Sequence, residues 1–504
     1  MQSCYQGISP VSLRQLFPHA EVFGAEDYTL LNCTTDWQRI RPGDVFVAVR
    51  GKVDGHTLLD EAIARGAGAL ITDEMTDDPF RMNAQGQLVP MWVVENTRQA
   101  YALLCQALYR FPGKRLELTG ITGTSGKTMT SCLIASILGA AGHNVGIMGS
   151  LGCFDGLDAS PHSIANLPPK RVSSWLSRME QNDCTHAVME VSSQALAQYR
   201  LEGLDFQTVC MTNIFQEHLG FHGSVENYRK AKMRILEYLA EDGVTILNAD
   251  DKILSEITRW LDIPVLTYGI QESAEISGML LEQTASEQTM LVTAGGETLP
   301  LRTPIIGNHY AYDCLAAVAT GLRSGIPLET IVQGIESVES IPGRMERIEC
   351  GQPFTVLVDH AHTANELKIT LQSLREVTDG RIFCVLGAAG NRDFEKRPHL
   401  GLIVQQYADE IILTDNDPGT ESPDKIIQEI LSGMNKTADV KIYHQRTDAI
   451  PYALGQARPG DAVLIAGKGH EKFQLVGRES LRHDDREIIR RWLYQNVHSM
   501  DFRQ

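Results

Sequence analysis

The stretch Leu116-Glu-Leu-Thr-Gly-Ile-Thr-Gly-Thr-Ser-Gly-Lys-Thr128, continuing to Ala141 through a run rich in Leu, Ile and Ala, decides the architecture. Leu116 to Ile121 reads as a strand, Thr122 to Gly126 as a glycine-bearing turn, and Lys127 to Ala141 as a helix. In such a turn the backbone N–H groups of Gly123, Thr124, Ser125 and Gly126 close around phosphate oxygens. Lys127 reaches the β and γ phosphates of a nucleotide, and the Thr128 hydroxyl is placed for Mg²⁺. The strict phosphate-loop spacing requires glycine at position 121, which is Ile121 here, so the loop is a variant.

Outward from this turn, further apolar runs at Ala187 to Val191, Val209 to Thr212 and Val244 to Leu247 alternate with helical spacing. That alternation predicts a mostly parallel sheet covered on both faces. Upstream, short apolar runs (Asp44 to Val49, Ala67 to Ile71, Met91 to Val94) predict a small α/β domain over residues 1–112. The polar Arg110-Phe-Pro-Gly-Lys-Arg115 then reads as a linker. Downstream, Ile341-Pro-Gly343 marks a second boundary. Four apolar runs follow it, each ending in a polar or glycine-bearing loop: Asp359-His-Ala-His362, Gly387 to Asp393, Asp415-Asn-Asp-Pro-Gly419 and Gly467-Lys-Gly-His-Glu471. Ligands bind doubly wound sheets at the carboxyl ends of their strands, so these loops mark a second ligand face. The expected fold is α/β in three domains: a small N-terminal domain (1–112), a central phosphate-loop ATPase-like parallel sheet (113–343) and a Rossmann-like C-terminal domain (344–504).

Composition narrows the function. Lysine and arginine number 45 against 63 acidic residues, a formal charge of −18 over 504 residues. A nucleic-acid partner would call for a basic footprint. The start MQSCYQGISPVSLRQLF lacks a basic, then apolar, leader, and no run of about 18 apolar residues occurs, so a cytoplasmic protein with no membrane partner is expected; a monomer is expected as well. The ten cysteines include no C-x-x-C pair and are read as reduced thiols. His360 and His362 are spaced as a pair of ligands but lack a third.

Beyond the phosphate loop, Met189-Glu-Val-Ser-Ser193, Thr212-Asn-Ile-Phe-Gln-Glu-His-Leu219, Phe221-His-Gly223 and Tyr228-Arg-Lys-Ala-Lys232 follow in order. With these motifs the chain resembles the Mur ligases, and among them the branch of UDP-N-acetylmuramoyl-tripeptide synthetases (MurE), from about Arg39 to Glu487. The resemblance implies an ATP-dependent ligase of peptidoglycan biosynthesis. ATP phosphorylates an acceptor carboxylate, and the amine of an amino acid displaces phosphate from the acyl phosphate. It implies two Mg²⁺ ions: Thr128 and Glu190 hold one, while His218 and a carbamylated Lys232 help hold the second. Lys127, Glu190, His218 and Lys232 form the implied catalytic set. Arg344 of Gly343-Arg-Met-Glu346 and Asp359 are implied in nucleotide binding, with Asp313 near the base and Ser192 and Ser193 at the acceptor.

The same resemblance places the amino acid. Arg392 would hold its α-carboxylate bidentately, and Gly467 and Glu471 would contact a distal amine. Diaminopimelate-adding members carry Asp-Asn-Pro-Arg where this chain has Asn416-Asp-Pro-Gly419. Without that arginine, a second carboxylate beside Asp417 and Glu471 buries uncompensated charge. A cationic side chain such as that of lysine is therefore expected, and diaminopimelate is disfavoured. Other departures sit at Asp36-Trp37-Gln38, Ala165-Asn-Leu-Pro168 and Gln194, and at Tyr310 and Asp313, where the family has two adenine-facing asparagines; an ionised Asp313 only accepts hydrogen bonds. Two readings follow. One is an active ligase whose acceptor is the UDP-linked muramoyl dipeptide or another carboxylate of specialised metabolism; the other is a degenerate binding or regulatory protein.

Overall fold

The computed structural model describes residues 11–76, 78–161, 168–215, 219–391, 394–435 and 437–500. The chain forms two compact units. The first comprises Met1–Thr122, His143–Val209 and Arg229–Val244; the second comprises Gly123–Gly142, Cys210–Tyr228 and Thr245–Gln504.

In the first unit, Cys33–Thr34, Val45–Val47, Ala69–Thr72 and Met91–Val93 run parallel, and Glu21–Phe23 closes the edge antiparallel. Their inward residues Val45, Val47, Ala69, Ile71 and Trp92 pack on Leu104 and Cys105 of the helix Thr97–Leu108, which Asn96 caps by accepting from the N–H groups of Arg98 and Gln99. The unit also contains Val145–Gly149, His186–Glu190 and Glu117–Thr122, adjacent and parallel. His186–Glu190 is buried along its whole length, as a covered parallel strand requires. Glu190 is its last residue, at the carboxyl end where ligands bind.

In the second unit, the helix Lys127–Ala140 packs on Asn308–Arg323 and Leu328–Glu336. Val265–Gly269 lies parallel to Thr245–Asn248, and an antiparallel meander (Ile276–Gln283, Gln288–Ala294, Glu297–Thr303) follows. The C-terminal sheet has the order Glu346–Arg347, Thr355–Asp359, Ala462–Ala466, Ile382–Leu386, Glu410–Thr414, Val440–Tyr443, parallel except at the first edge. Ala462–Ala466, the last of these strands along the chain, thus lies between Thr355–Asp359 and Ile382–Leu386, which puts a topological switch point at the ends of Asp359, Leu386 and Ala466. The α/β class and the parallel sheets match the expectation. No helix among the described residues is long and apolar enough to cross a membrane.

Candidate active site

The phosphate loop lies between the strand Glu117–Thr122 and the helix Lys127–Ala140, as predicted. Its donors are not all directed at phosphate. The N–H groups of Thr124 and Ser125 donate to Asn213 Oδ1 at 3.1 and 2.9 Å, and Asn213 Nδ2 and Thr212 Oγ1 donate to the Ser125 carbonyl at 3.1 and 2.6 Å. The cradle is therefore built around Asn213. A side chain at Gly126 would collide with Asp313, its Cβ standing 2.2 Å from Asp313 Oδ1. Lys127 Nζ donates to the carbonyls of Gly123 and Thr124, both at 2.8 Å.

Arg344 is brought to the loop, its Nη2 3.2 Å from Thr128 Oγ1. Its Nε is buried and has no hydrogen-bond partner among the described residues. A cation with an unsatisfied buried donor beside Thr128 fits a nucleotide's phosphates. The Asp359 carboxylate accepts from the N–H groups of Met345 (2.7 Å) and Ala361 (2.9 Å), so it pins the segment that carries Arg344. Glu366, which the sequence reading passed over, accepts from Ser125 Oγ at 3.4 Å and from the N–H of His362 at 3.3 Å.

Asp313 corrects a charge assignment. It is buried beside Gly126 with Thr130 Oγ1 at 3.3 Å, and burial pushes its carboxyl well above the usual range despite that hydrogen bond and the charges of Arg344 and Lys127. A protonated carboxyl donates as well as accepts, as an asparagine does. Tyr310 is fully buried.

In the first unit, both oxygens of Glu190 are held by Ser150, which donates from N (2.7 Å) and Oγ (2.8 Å). Lys232, on the helix Val225–Met233, is 2% exposed, which excludes an ordinary surface lysine. Ser192 Oγ caps the short helix Ser193–Ala197, accepting from the N–H of Ala195, and Ser193 is buried. A further residue, Arg200, is half-buried and has an Nη1 with no partner among the described residues; burial and the neighbouring charge of Arg98 lower its pKa. Only its position ten residues after Glu190 was visible in the sequence. His218 lies outside the described residues. Hydroxyl and carboxylate oxygens such as those of Thr128 and Glu190 are the hard donors Mg²⁺ takes. No group of three or more His, Cys, Asp or Glu side chains spaced for a metal occurs among the described residues, so His360 and His362 gain no third ligand.

The loops expected to hold the amino acid are welded together. The N–H of Gly390 donates to the Asp417 carbonyl (2.8 Å), and the N–H of Asn391 donates to Glu421 Oε2 (3.0 Å). Fully buried Arg397 grips Glu421 through two bonds (2.9 and 2.7 Å). Arg392 lies outside the described residues. Lys468, also fully buried, donates to Asp417 Oδ1 (2.9 Å) and Glu471 Oε2 (3.0 Å). The two acids expected to stand uncompensated therefore share one cation, and Asp417 Oδ1 also accepts from the N–H of Leu475. Gly419 adopts φ +57°, and a Cβ there would stand 2.3 Å from Asn391 Oδ1.

Residues 121–321 match the Mur ligase middle domain and residues 343–469 the Mur ligase, glutamate ligase domain. A protein of Syntrophomonas wolfei subsp. wolfei named UDP-N-acetylmuramoyl-L-alanyl-D-glutamate–2,6-diaminopimelate ligase is 35% identical over 92% of this chain and 95% of its own. One of the same name from Geobacillus thermodenitrificans is 34% identical over 90% and 93%. A solved structure of an enzyme so named superposes with a TM-score of 0.68 at 25% identity, covering 97% of this chain and all of the other. The chain belongs to the Mur ligase family. Within it, the chain is an ATP-dependent carboxylate–amine ligase of the MurE type, and the reading as a degenerate binding protein is set aside.

Proposed function

We propose that the chain extends a UDP-linked muramoyl dipeptide by a diamino acid that carries a single carboxylate, such as lysine or ornithine. Residues 1–112 receive the acceptor, 113–343 bind ATP, and 344–504 hold the amino acid. The acceptor is the one in the relatives' names. The observation that carries the amino-acid reading is Gly419, whose left-handed backbone is closed against Asn391 where an arginine would have to reach a distal carboxylate. The relatives named for diaminopimelate make that compound the competitor to beat.

In the reaction, Lys127 and Arg344 meet the charge that develops on the transferred γ-phosphoryl group; Thr128 and Glu190 are each candidate oxygen ligands for Mg²⁺, which would supply neutralisation of phosphate charge. Lys232 and His218 would serve a second ion, with Lys232 as its carbamate. Displacing phosphate from the acyl phosphate needs the incoming amine neutral and in line, and holding its carboxylate at Arg392 provides that alignment. The test is phosphate release and product mass with ATP, Mg²⁺, the muramoyl dipeptide acceptor and a panel of lysine, ornithine and diaminopimelate. Turnover should require Lys127, vanish in Lys127→Ala and prefer a mono-carboxylate diamino acid; preference for diaminopimelate refutes the amino-acid reading.

A further inference from the structure

Arg486 sits in the Asp484-Asp-Arg-Glu487 element, to which the reaction as described gives no task. The side chain is buried. Its Nε and Nη2 grip the Asp484 carboxylate at 2.9 and 2.7 Å, so the fork is fixed in direction before it meets anything else. Two contacts then extend from it. Nη2 donates to the His470 carbonyl at 3.2 Å, inside Gly467-Lys-Gly-His-Glu471. Nη1 pairs with Glu346 Oε2 at 3.6 Å, and the same oxygen accepts from the N–H of Gly343 at 2.7 Å, directly before Arg344.

The two loops also touch by backbone. A Cβ on Gly343 would stand 2.1 Å from His470 N. His360 N donates to the Gly343 carbonyl at 2.9 Å, and Gly467 N to the Asp359 carbonyl at 3.0 Å. A shift of the Arg344 segment toward a nucleotide therefore moves Glu346 and, through the fixed guanidinium, the His470 carbonyl. Arg490 Nη2, 3.3 Å from the other Glu346 oxygen, helps hold that carboxylate in place.

We propose that Arg486 is a positioning residue that couples the nucleotide loop to the amino-acid loop, so that occupancy of either site raises affinity at the other. The idea rests on the assignment of Gly467–Glu471 to the amino acid and of Arg344 to the nucleotide. Coupling of this kind is reciprocal and typically amounts to about 5- to 150-fold. A lysine would keep the charge but lose the fork that addresses Asp484, His470 and Glu346 together.

The experiment measures the KM of the amino acid at saturating and at limiting ATP, and of ATP at both amino-acid levels, using whichever panel amino acid supports turnover. A wrong choice of amino acid thus fails the panel without touching this proposal. In the unmodified protein, each KM should fall at least about fivefold when the other substrate saturates. Glu346→Gln keeps the shape and removes the ion pair; it should bring the ratio toward one while thermal unfolding stays near the parent's. Arg486→Lys should restore less than half of the coupling seen with arginine, and Arg486→Gln none. An unchanged ratio in Glu346→Gln, or a ratio of one in the unmodified protein, overturns the proposal. A variant that only loses stability, with its coupling intact, overturns it as well.

Discussion

Replacing Gly419 with arginine would supply the side chain that diaminopimelate-adding relatives carry, and the structure says that the substitution fails on its own. Gly419 has φ +57°, a conformation that costs a residue bearing a Cβ about 1–2 kcal/mol. The new Cβ stands 2.3 Å from Asn391 Oδ1, which must move. Moving it breaks the bonds that Asn391 makes with the N–H (2.9 Å) and Oγ1 (3.0 Å) of Thr420, about 0.5–1.5 kcal/mol each. The sum, about 2–5 kcal/mol, falls on the junction of residues 388–391 and 416–421 rather than on the whole fold. At 1.4 kcal/mol per tenfold, the amides that close this junction, Gly390 and Thr420, should exchange with deuterium about 30- to 4,000-fold faster. Exchange followed by mass spectrometry reads this directly, and the amino-acid panel reads function. Gly419→Arg should gain no use of diaminopimelate, whereas pairing it with Asn391→Ala removes the collision and leaves the backbone cost and the loss of the two Thr420 bonds. A Gly419→Arg protein with parental exchange rates and new diaminopimelate turnover would falsify the reasoning.

Three further outcomes are expected. Asn213→Ala removes the acceptor that orders Thr124 and Ser125, and should raise the KM for ATP about ten- to a hundredfold in steady-state kinetics while the amino-acid KM moves little; equal changes in both would sink the reading. Asp313 titrates higher in the folded protein than in the unfolded chain, so its contribution is fully present below the ordinary carboxylate pKa and is lost as pH rises through the raised value. Thermal unfolding without nucleotide should therefore show less loss toward high pH in Asp313→Asn than in the parent, and parallel curves would dismiss a neutral Asp313. Arg446 and Asp485 are fully buried and paired at 2.6 Å; against the burial that would raise it, Arg446 and His483 hold the Asp485 carboxyl well below the usual range. Arg446→Met strands that acid at a cost of about 3–5 kcal/mol, measurable as a lower urea midpoint.

The phosphate loop and the parallel sheets were legible because their causes are local. Glycines between an apolar run and a helix leave few backbone solutions, and continuous apolar strands bury only between two layers. What escaped depends on partners far along the chain. Asn213 stood in a quoted motif, yet its hold on Ser125 spans 88 residues. Lys468 lies three residues before Glu471, a pairing within reach of inspection, but its bond to Asp417 crosses 51 residues and is set by the order of strands in the C-terminal sheet. Reading Asp417 and Glu471 as bare acids followed from counting charges along one loop at a time. The residue type of Asp313 likewise says nothing of its burial against Gly126, which pushes its carboxyl above the usual range.

The corrected charge count still separates the candidate amino acids. Asp417 and Glu471 contribute two negative charges and Lys468 one positive, which leaves one net negative charge among them. A ligand ammonium meets that charge. A distal carboxylate instead finds an ammonium already donating to two acids, and Gly419 where an arginine would otherwise stand. Identity of 35% over nearly the whole chain preserves the sheets and the phosphate loop, whose stability is spread over many contacts. Discrimination between amino acids is a difference of a few contacts worth about 1–3 kcal/mol each, and leaving a charged group unpaired is the largest of them. One residue of the loop can therefore change the substrate while the family stays plain, which is why the panel, and not the relatives' names, decides the amino acid.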